Sequence, residues 1–275
     1  MKNTRQKIKS FFPPVIWNPL SDLRYSLERA AQYPAAYLHP WRRESLRRLA
    51  ALKDRYRGER CFVVGNGPSL KNTDVSKLKD EFTFGMNRVY LAFEDWGFQT
   101  SFLVSINDLV IEQCIDDFLA LEMPRFFSWH SRKFFTLDTY ERESAPTFLF
   151  TTYTGPKFAT DVTGRLWEGA TVTFACLQLA YHMGFEKVIL IGVDHSFAAK
   201  GKPNATVVSQ GDDLSHFDPR YFGKGFRWQL PDLGTSEQGY WLARQTFEAA
   251  GRQVVDATVG GKLQVFPKVE YDSLF

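Results

Sequence analysis

The most constraining feature of the sequence is a short apolar run that leads into a glycine-rich turn, residues 60–70 (RCFVVGNGPSL). The run at 61–64 is rich in β-branched and aromatic residues, which predicts a strand buried on both faces. Gly65 and Gly67 allow backbone conformations closed to other residues and leave room for a ligand beside the main chain. Leu70 replaces the third glycine of the dinucleotide fingerprint, so the pattern indicates either another kind of nucleotide site or an ordinary turn.

The same turn carries three further candidate nucleotide-binding residues. Asn66 and Ser69 add short polar groups, and Pro68 stiffens the chain between them. Turns at the carboxyl edge of an α/β sheet present unpaired N–H groups to phosphate, so we expect these residues to surround a nucleotide if the site is functional.

Composition excludes several classes of function. The chain has 275 residues and a formal net charge of +3, which is too small to indicate nucleic-acid binding. Its three cysteines are widely spaced in apolar surroundings, which favours buried thiols over disulfides or a metal site. The sequence has no apolar run of about 18 residues and no apolar core of a signal peptide, so we expect a cytoplasmic protein.

The first 57 residues differ from the rest, because they combine basic residues with aromatics and prolines. We predict a helical arm there, with helices near Leu20–Gln32 and Arg42–Arg57, preceding a domain that spans 58–275. Residues 1–40 either contact an anionic membrane surface or pack on the domain or on a second subunit.

Strand and helix patterns alternate through the predicted domain. This alternation predicts an α/β fold, with a mostly parallel sheet and helices on both faces. Besides the first strand, the candidate strands are 82–86, 101–106, 125–129, 147–151, 187–192 and 253–257.

Two of these strands end in asparagine, at Asn87 and Asn107. Asparagine is unfavourable within strands, but its side chain offers both a donor and an acceptor to a base or sugar. Because parallel strands end at one edge of a sheet, the repetition suggests a polar pocket. Alternatively, each asparagine only caps a turn.

Small and hydroxylated residues precede the apolar helix predicted at 174–183. Thr171 and Thr173 can cap this helix and also face an anionic ligand, although capping alone would explain them. Arg165, a few residues earlier, is a candidate phosphate ligand.

An acid, an imidazole and a hydroxyl follow the buried strand at 187–192. Asp194, His195 and Ser196 stand where α/β enzymes keep their reactive groups. A long polar segment, about 198–235, then predicts a lid or substrate-binding loop that contains His216. An amphipathic helix is predicted at 237–250.

The sequence resembles one known group in a combination of four features. These are GNGPSL, the two strand-end asparagines, the threonine-rich helix start and LIGVDHSF. They are similar to the bacterial CMP-sialic-acid-dependent sialyltransferases and the 6-hydroxymethylpterin diphosphokinase-like family, which includes flagellin-modifying motility accessory factors. The resemblance runs from about residue 59 to about 265. It implies a Rossmann-like domain with a lid, in which residues 65–69 and Asn87 surround a nucleotide. It also implies that Asn107 lies near the transferred sugar and phosphate, and that residues 171–173 touch the donor.

The sequence departs from the sialyltransferase pattern at two places. His195 and Ser196 stand where those enzymes have phosphate-binding tyrosines, and His216 precedes the expected position of their catalytic histidine, near which Arg220 falls. His216 is therefore the candidate catalytic base, with His195 as an alternative and Asp194 as a further catalytic candidate.

The first functional hypothesis is an inverting, metal-independent glycosyltransferase that uses a CMP-sugar donor and a surface-glycan acceptor, such as lipopolysaccharide, and needs no cofactor. The alternative is a diphosphokinase that transfers pyrophosphate from ATP, with Mg²⁺ held by Asp108, Asp194, Asp212 and Asp213. A third hypothesis is a noncatalytic nucleotide-binding module, and assembly into an oligomer is compatible with each.

Overall fold

The computed structural model of this chain describes residues 27–28, 30–140, 145–197 and 201–275. Most of the helix predicted at 20–32 lies outside these ranges.

The strands are Arg60–Val64 (β1), Phe82–Met86 (β2), Phe102–Ser105 (β3), Arg125–Ser128 (β4), Thr147–Thr152 (β5), Arg165–Trp167 (β6), Lys187–Ile191 (β7), Thr206–Val208 (β8), Arg227–Gln229 (β9) and Gln253–Asp256 (β10). The helices are Tyr33–Leu38 (α1), Pro40–Leu52 (α2), Phe93–Trp96 (α3), Asp108–Gln113 (α4), Ile115–Ala120 (α5), Leu137–Tyr140 (α6), Val172–Met183 (α7) and Leu233–Ala249 (α8). Short 3-10 helices span Pro68–Asn72, Val75–Leu78, Val89–Ala92, Trp129–Phe134 and Tyr271–Leu274.

Eight strands form one sheet in the order β10-β7-β1-β2-β3-β4-β5-β6, and every neighbouring pair is parallel. The predicted parallel α/β fold is therefore confirmed. From β1 the chain proceeds outward to β6 and then returns to β7 on the other side of β1. The order reverses between β1 and β7, and crevices at such a reversal are where open α/β sheets bind ligands.

Alternate residues of β1 enter two hydrophobic clusters on opposite faces of the sheet. Cys61 and Val63 pack in the cluster that contains α7 and α8. Phe62 and Val64 pack in the other cluster, with Ile189 of β7. These four residues are fully buried, as the uninterrupted apolar run predicts for a central parallel strand.

The described part of the predicted arm packs against the sheet. Tyr33 meets Phe150 of β5 edge to face, with ring centroids 4.8 Å apart. In α2, the hydroxyl of Ser45 accepts a hydrogen bond from the N–H of Phe148 at 2.9 Å. Helix α2 ends at Leu52, five residues before the predicted boundary at Arg57. None of the helices in the described ranges has the length and apolarity needed to cross a bilayer.

Two features of the sheet and the lid segment were not predicted from the sequence. Strand β6 is only three residues long, and the segment predicted as an irregular lid contains an antiparallel ribbon formed by β8 and β9. Helix α8 also begins four residues before the predicted start, because Asp232 caps it by accepting a hydrogen bond from the N–H of Thr235.

The glycine turn after β1 lies directly on the end of β7. The N–H of Gly65 donates to the carbonyl oxygen of Ile191 at 2.7 Å, and that of Gly67 donates to the carbonyl of Gly192 at 2.8 Å. A Cβ atom built on Gly65 would lie 2.2 Å from the carbonyl oxygen of Gly192. Only glycine allows this approach of the two strand ends.

We expect Gly65→Ala to lower the free energy of unfolding by about 2 kcal/mol or more, because the added methyl group must push β1 and β7 apart. Chemical denaturation of the purified variant measures this loss. Gly211→Ala is the matched control, since a Cβ there meets nothing within 4 Å. Equal stability of the two variants would contradict the account.

Candidate functional site

A cleft opens at the carboxyl ends of β1, β2, β3 and β7, between the sheet and the lid segment, residues 201–235. The structure brings most of the sequence-predicted residues together there. Those that line the cleft are Gly65, Asn66, Gly67, Asn87, Asn107, Thr171, Thr173, Asp194, His195, Ser196 and His216.

Asp194, which follows β7, holds the glycine turn by two hydrogen bonds from Ser69. Its Oδ1 accepts a hydrogen bond from the N–H of Ser69 at 3.1 Å, and its Oδ2 accepts one from the Ser69 hydroxyl at 2.6 Å. A Cβ atom on Gly67 would lie 1.8 Å from that Oδ2. Pro68 and Ser69 do not line the cleft, unlike the other three residues of the turn. This geometry suits a positioning role for Asp194.

The three asparagines are each held by the surrounding backbone or side chains. The side-chain NH₂ of Asn66 donates to the carbonyl of Met86 at 3.1 Å. Asn87, with φ of 47°, accepts from the hydroxyl of Ser105 at 2.9 Å. Asn107 caps α4 by accepting from the N–H of Leu109 at 2.9 Å. The turn-capping alternative thus holds for Asn107, which nevertheless also lines the cleft.

The first turn of α7, at the N-terminus of the helix, lies at the cleft. Thr171 caps this helix of 12 residues by accepting from the N–H of Thr173 at 3.3 Å. Thr171, Val172 and Thr173 all line the cleft. A helix N-terminus carries partial positive charge and free N–H groups, which together favour a phosphate.

No lysine or arginine lines the cleft among the residues that the structure describes. Arg165, the predicted phosphate ligand, is exposed at the amino end of edge strand β6, with its guanidinium beside Gly155. Gly155 follows the carboxyl end of β5, and Arg165 is not among the residues that line the cleft.

His195 is fixed by a carboxylate that the sequence analysis did not identify. Its Nε2 lies 2.9 Å from Oε1 of Glu237 in α8, and its side chain is 8% exposed. Its backbone has φ of 53°, a left-handed conformation that aims the ring from the end of β7 toward α8. Because 42 residues separate the two partners, no local pattern indicates the pair.

His216 forms the second histidine–carboxylate pair, within the lid segment. Its Nδ1 lies 2.7 Å from Oδ2 of Asp213. The imidazole stacks on Tyr221, with centroids 4.0 Å apart and planes at 13°, and Phe222 meets its edge at 4.9 Å. The ring is thus held on both its hydrogen-bonding side and its face.

Asp213 is suited to orient this imidazole. Burial favours its neutral form, but hydrogen bonds from His216 and from the N–H groups of Ser215 and Phe222 outweigh that effect and hold its pKa below the usual range. A carboxylate at Nδ1 favours the tautomer in which Nε2 accepts a proton. The pair therefore has the arrangement of a general base and its positioning group.

The lid segment is tied to the sheet close to this pair. The N–H of Phe217 donates to the carbonyl of Asn66 at 2.9 Å. The guanidinium of Arg88, which follows β2, donates to the carbonyl of Arg220 at 2.8 Å and also to that of Tyr221. These bonds hold His216 over the glycine turn.

The carboxylates proposed for Mg²⁺ in the alternative hypothesis are engaged separately. Asp108 accepts from the hydroxyl of Ser131 at 2.5 Å and lies 3.2 Å from Nε2 of His130. Asp194 binds Ser69, and Asp213 binds His216. Within the described ranges, no three histidine, cysteine, aspartate or glutamate side chains are grouped so that they could hold a metal ion.

Comparison with known proteins gives one family match. The family described as 6-hydroxymethylpterin diphosphokinase MptE-like matches residues 41–200. This match confirms the resemblance to the diphosphokinase-like group and extends it toward the N-terminus to include most of α2. A search of curated proteins found no match.

Two solved structures are similar at low identity. One is the MAf glycosyltransferase from Magnetospirillum magneticum AMB-1, with 15% identity and a TM-score of 0.45, over 96% of this chain and 43% of that chain. The other is a mammalian sialyltransferase in complex with Gal-beta-1-3GalNAc-ortho-nitrophenol, with 12% identity and a TM-score of 0.36, over 88% of this chain and 86% of that chain. This chain therefore spans less than half of the length of the MAf glycosyltransferase.

The lowered pKa of Asp213 predicts a pH-dependent stability. Its hydrogen bonds stabilise the folded protein above the unfolded carboxyl pKa of about 4, and this contribution is lost as the pH falls through the lower folded value. We expect Asp213→Asn to be less stable than the natural protein at pH 7, with the gap closing toward pH 3. Denaturant titrations at several pH values measure the gap.

Asp80→Asn serves as the control, because Asp80 is exposed on the surface. Its stability difference from the natural protein should change little over the same pH range. A constant gap for Asp213→Asn would show that the carboxylate does not hold the lid as described.

Proposed function

This chain belongs to the 6-hydroxymethylpterin diphosphokinase MptE-like family, and we propose that it is a nucleotide-sugar-dependent glycosyltransferase acting in the synthesis of a cell-surface glycan. The observation that carries this proposal is the Asp213–His216 pair in the cleft where the strand order reverses. Such a cleft suits a nucleotide, and a carboxylate-oriented imidazole suits removal of a proton from a sugar hydroxyl.

The proposed reaction is a single displacement. The oxygen of the acceptor hydroxyl forms a bond to the anomeric carbon of the donor, and its proton moves to Nε2 of His216. The bond between the anomeric carbon and the phosphate oxygen breaks, and the nucleotide leaves with the electron pair. Attack opposite the leaving group inverts the configuration at the anomeric carbon.

The departing phosphate needs stabilisation of its negative charge. The N-terminus of α7, the hydroxyls of Thr171 and Ser196, and His195 are the cleft groups that suit this role. These groups are neutral hydroxyls, backbone N–H donors and an imidazole, and we propose that they act without a metal ion. A CMP-sugar has one phosphate, so it asks less charge stabilisation of these groups than a donor with two phosphates would.

The diphosphokinase activity in the family's description is the second candidate. It requires ATP and Mg²⁺, and the carboxylates that would bind the ion are Asp108, Asp194, Asp212 and Asp213. Since Asp108, Asp194 and Asp213 bind three different partners, this donor set does not fit the ion as it stands. A noncatalytic nucleotide-binding module would use the same cleft without the His216 base.

We expect the protein to release CMP from CMP-sialic acid without Mg²⁺, and His216→Gln to lower kcat by about 100-fold or more. Asp213→Asn should lower kcat by about tenfold, because the imidazole loses its orientation but remains. Both variants should bind CMP as the natural protein does. Chromatographic measurement of CMP release follows the reaction.

His39→Gln is the matched control, since His39 lies outside the cleft at the start of α2. Turnover of ATP with Mg²⁺ and a pterin alcohol, but not of a CMP-sugar, would favour the diphosphokinase. CMP binding without any turnover would favour the noncatalytic module. Unchanged turnover in His216→Gln would contradict the assignment of the base.

We also propose that residues 1–40 attach the protein to the cytoplasmic face of a membrane. In the described part of this segment, Leu27 is 61% exposed and Leu38 is 74% exposed. Arg43 is exposed on the following helix and adds a positive charge, whereas the exposed Arg47 is paired with Glu44 at 3.0 Å. Exposed apolar side chains beside basic residues suit the interface of an anionic bilayer.

Leu38→Ser should weaken binding to vesicles that contain phosphatidylserine by about fivefold, because the lost side chain no longer enters the bilayer. Vesicle sedimentation measures the partition coefficient. Leu214→Ser removes an equally exposed leucine from the lid segment and should leave binding unchanged. Equal partitioning of both variants and the natural protein would contradict membrane contact through this segment.

A further inference from the structure

A second cavity adjoins the cleft and is lined by residues at the carboxyl ends of β3, β5 and β6 and by the lid segment. We propose that this cavity, the acceptor groove, binds the acceptor. We propose further that it prefers a sugar whose polar groups are only hydroxyl or amino groups to a sugar that also carries phosphate or carboxylate. The inference rests on the proposed function, because it names the acceptor class for the same site.

The acceptor groove is continuous with the cleft. Asn107, Thr171 and Gln229 line both cavities. The side-chain NH₂ of Asn107 lies 3.4 Å from Oε1 of Gln229, so the two side chains form the boundary between them. A sugar in the groove therefore lies beside the helix N-terminus proposed for the donor phosphate, which is where an attacking hydroxyl must be.

An exposed aromatic ring forms one wall of the acceptor groove. Tyr153 directly follows β5 and is 51% exposed. The indole N–H of Trp167 donates to its carbonyl at 3.0 Å and fixes the backbone beneath the ring. Aromatic rings with an apolar face and a polar edge suit sugars, whose C–H faces pack on the ring while their hydroxyls form hydrogen bonds.

The remaining polar groups supply donors and acceptors for hydroxyls. The side-chain NH₂ of Asn204 donates to Oδ2 of Asp232 at 3.2 Å, and Asp232 also caps α8. Glu168 directly follows β6 and is 6% exposed, with its N–H bonded to the carbonyl of Thr152 at 2.9 Å. Amide and carboxyl side chains on rigid elements are suited to orient a polyol.

The charge of the groove carries the specificity. Its described lining includes two acidic residues, Glu168 and Asp232, and neither lysine nor arginine. Negative charge on the acceptor would approach these two carboxyl groups, and such a juxtaposition of like charges disfavours binding. An amino group on the acceptor would instead be attracted.

Saturation-transfer NMR on the full chain tests this assignment with four probes: lactose, glucosamine, glucuronic acid and glucose 6-phosphate. Each probe is measured with and without CMP. We expect signals from lactose and glucosamine that exceed those from the two anionic sugars. Tyr153→Ala should reduce the lactose signal by about fivefold, because the ring supplies the packing face. CMP binding by this variant should be unchanged.

Trp241→Ala is the matched control, because Trp241 is an aromatic residue of α8 with 49% exposure that lines neither cavity. It should leave the lactose signal unchanged. Three results would overturn the inference. They are a stronger signal from glucose 6-phosphate than from lactose, no lactose signal at all, and equal lactose signals from Tyr153→Ala and Trp241→Ala.

The outcomes separate this inference from the proposed function. Lactose binding that depends on Tyr153, without any CMP binding, would support a sugar site while contradicting the proposed donor. CMP binding and turnover without Tyr153-dependent lactose binding would contradict the acceptor groove and leave the glycosyltransferase proposal intact.

Discussion

The close contact between the glycine turn and the end of β7 is the interaction on which the site depends. Hydrogen bonds from the amides of Gly65 and Gly67 to the carbonyls of Ile191 and Gly192, at the end of β7, join two strands that are far apart in the sequence. No side chain fits at either glycine, and the Asp194 carboxylate occupies the space beside Gly67. Because the backbone meets so closely here, the space above the two strand ends remains open for a ligand.

The electrostatic character of the cleft follows from how its polar groups are held. Two imidazoles, each paired with a carboxylate, face a helix N-terminus, and the described lining contains no lysine or arginine. The lid segment supplies His216 together with its partner Asp213, so the proposed base is oriented inside the lid itself. The adjoining groove is lined by Glu168 and Asp232, and we propose that it receives the acceptor while the cleft receives the donor.

The sequence predicted most of the sheet, because apolar strand segments and the glycine turn are local signals. It also indicated that Asn87, Thr171 and His216 belong near one site, since they stand at a strand end, at a helix start and in the lid segment, respectively. It did not indicate Glu237, whose pairing with His195 depends on where α8 packs. Strand β6 was too short to give a periodic signal, so the sequence did not indicate that Arg165 begins an edge strand and does not line the cleft.

A thermal-shift titration with CMP, UDP, GDP, CMP-sialic acid and ATP, each with and without Mg²⁺, tests the central claim most directly. A ligand that binds only the folded state raises Tm by mass action, by several degrees when its concentration is about 100 times Kd. The account predicts that CMP and CMP-sialic acid raise Tm without Mg²⁺. A rise only with ATP and Mg²⁺, or no rise with any nucleotide, would contradict it.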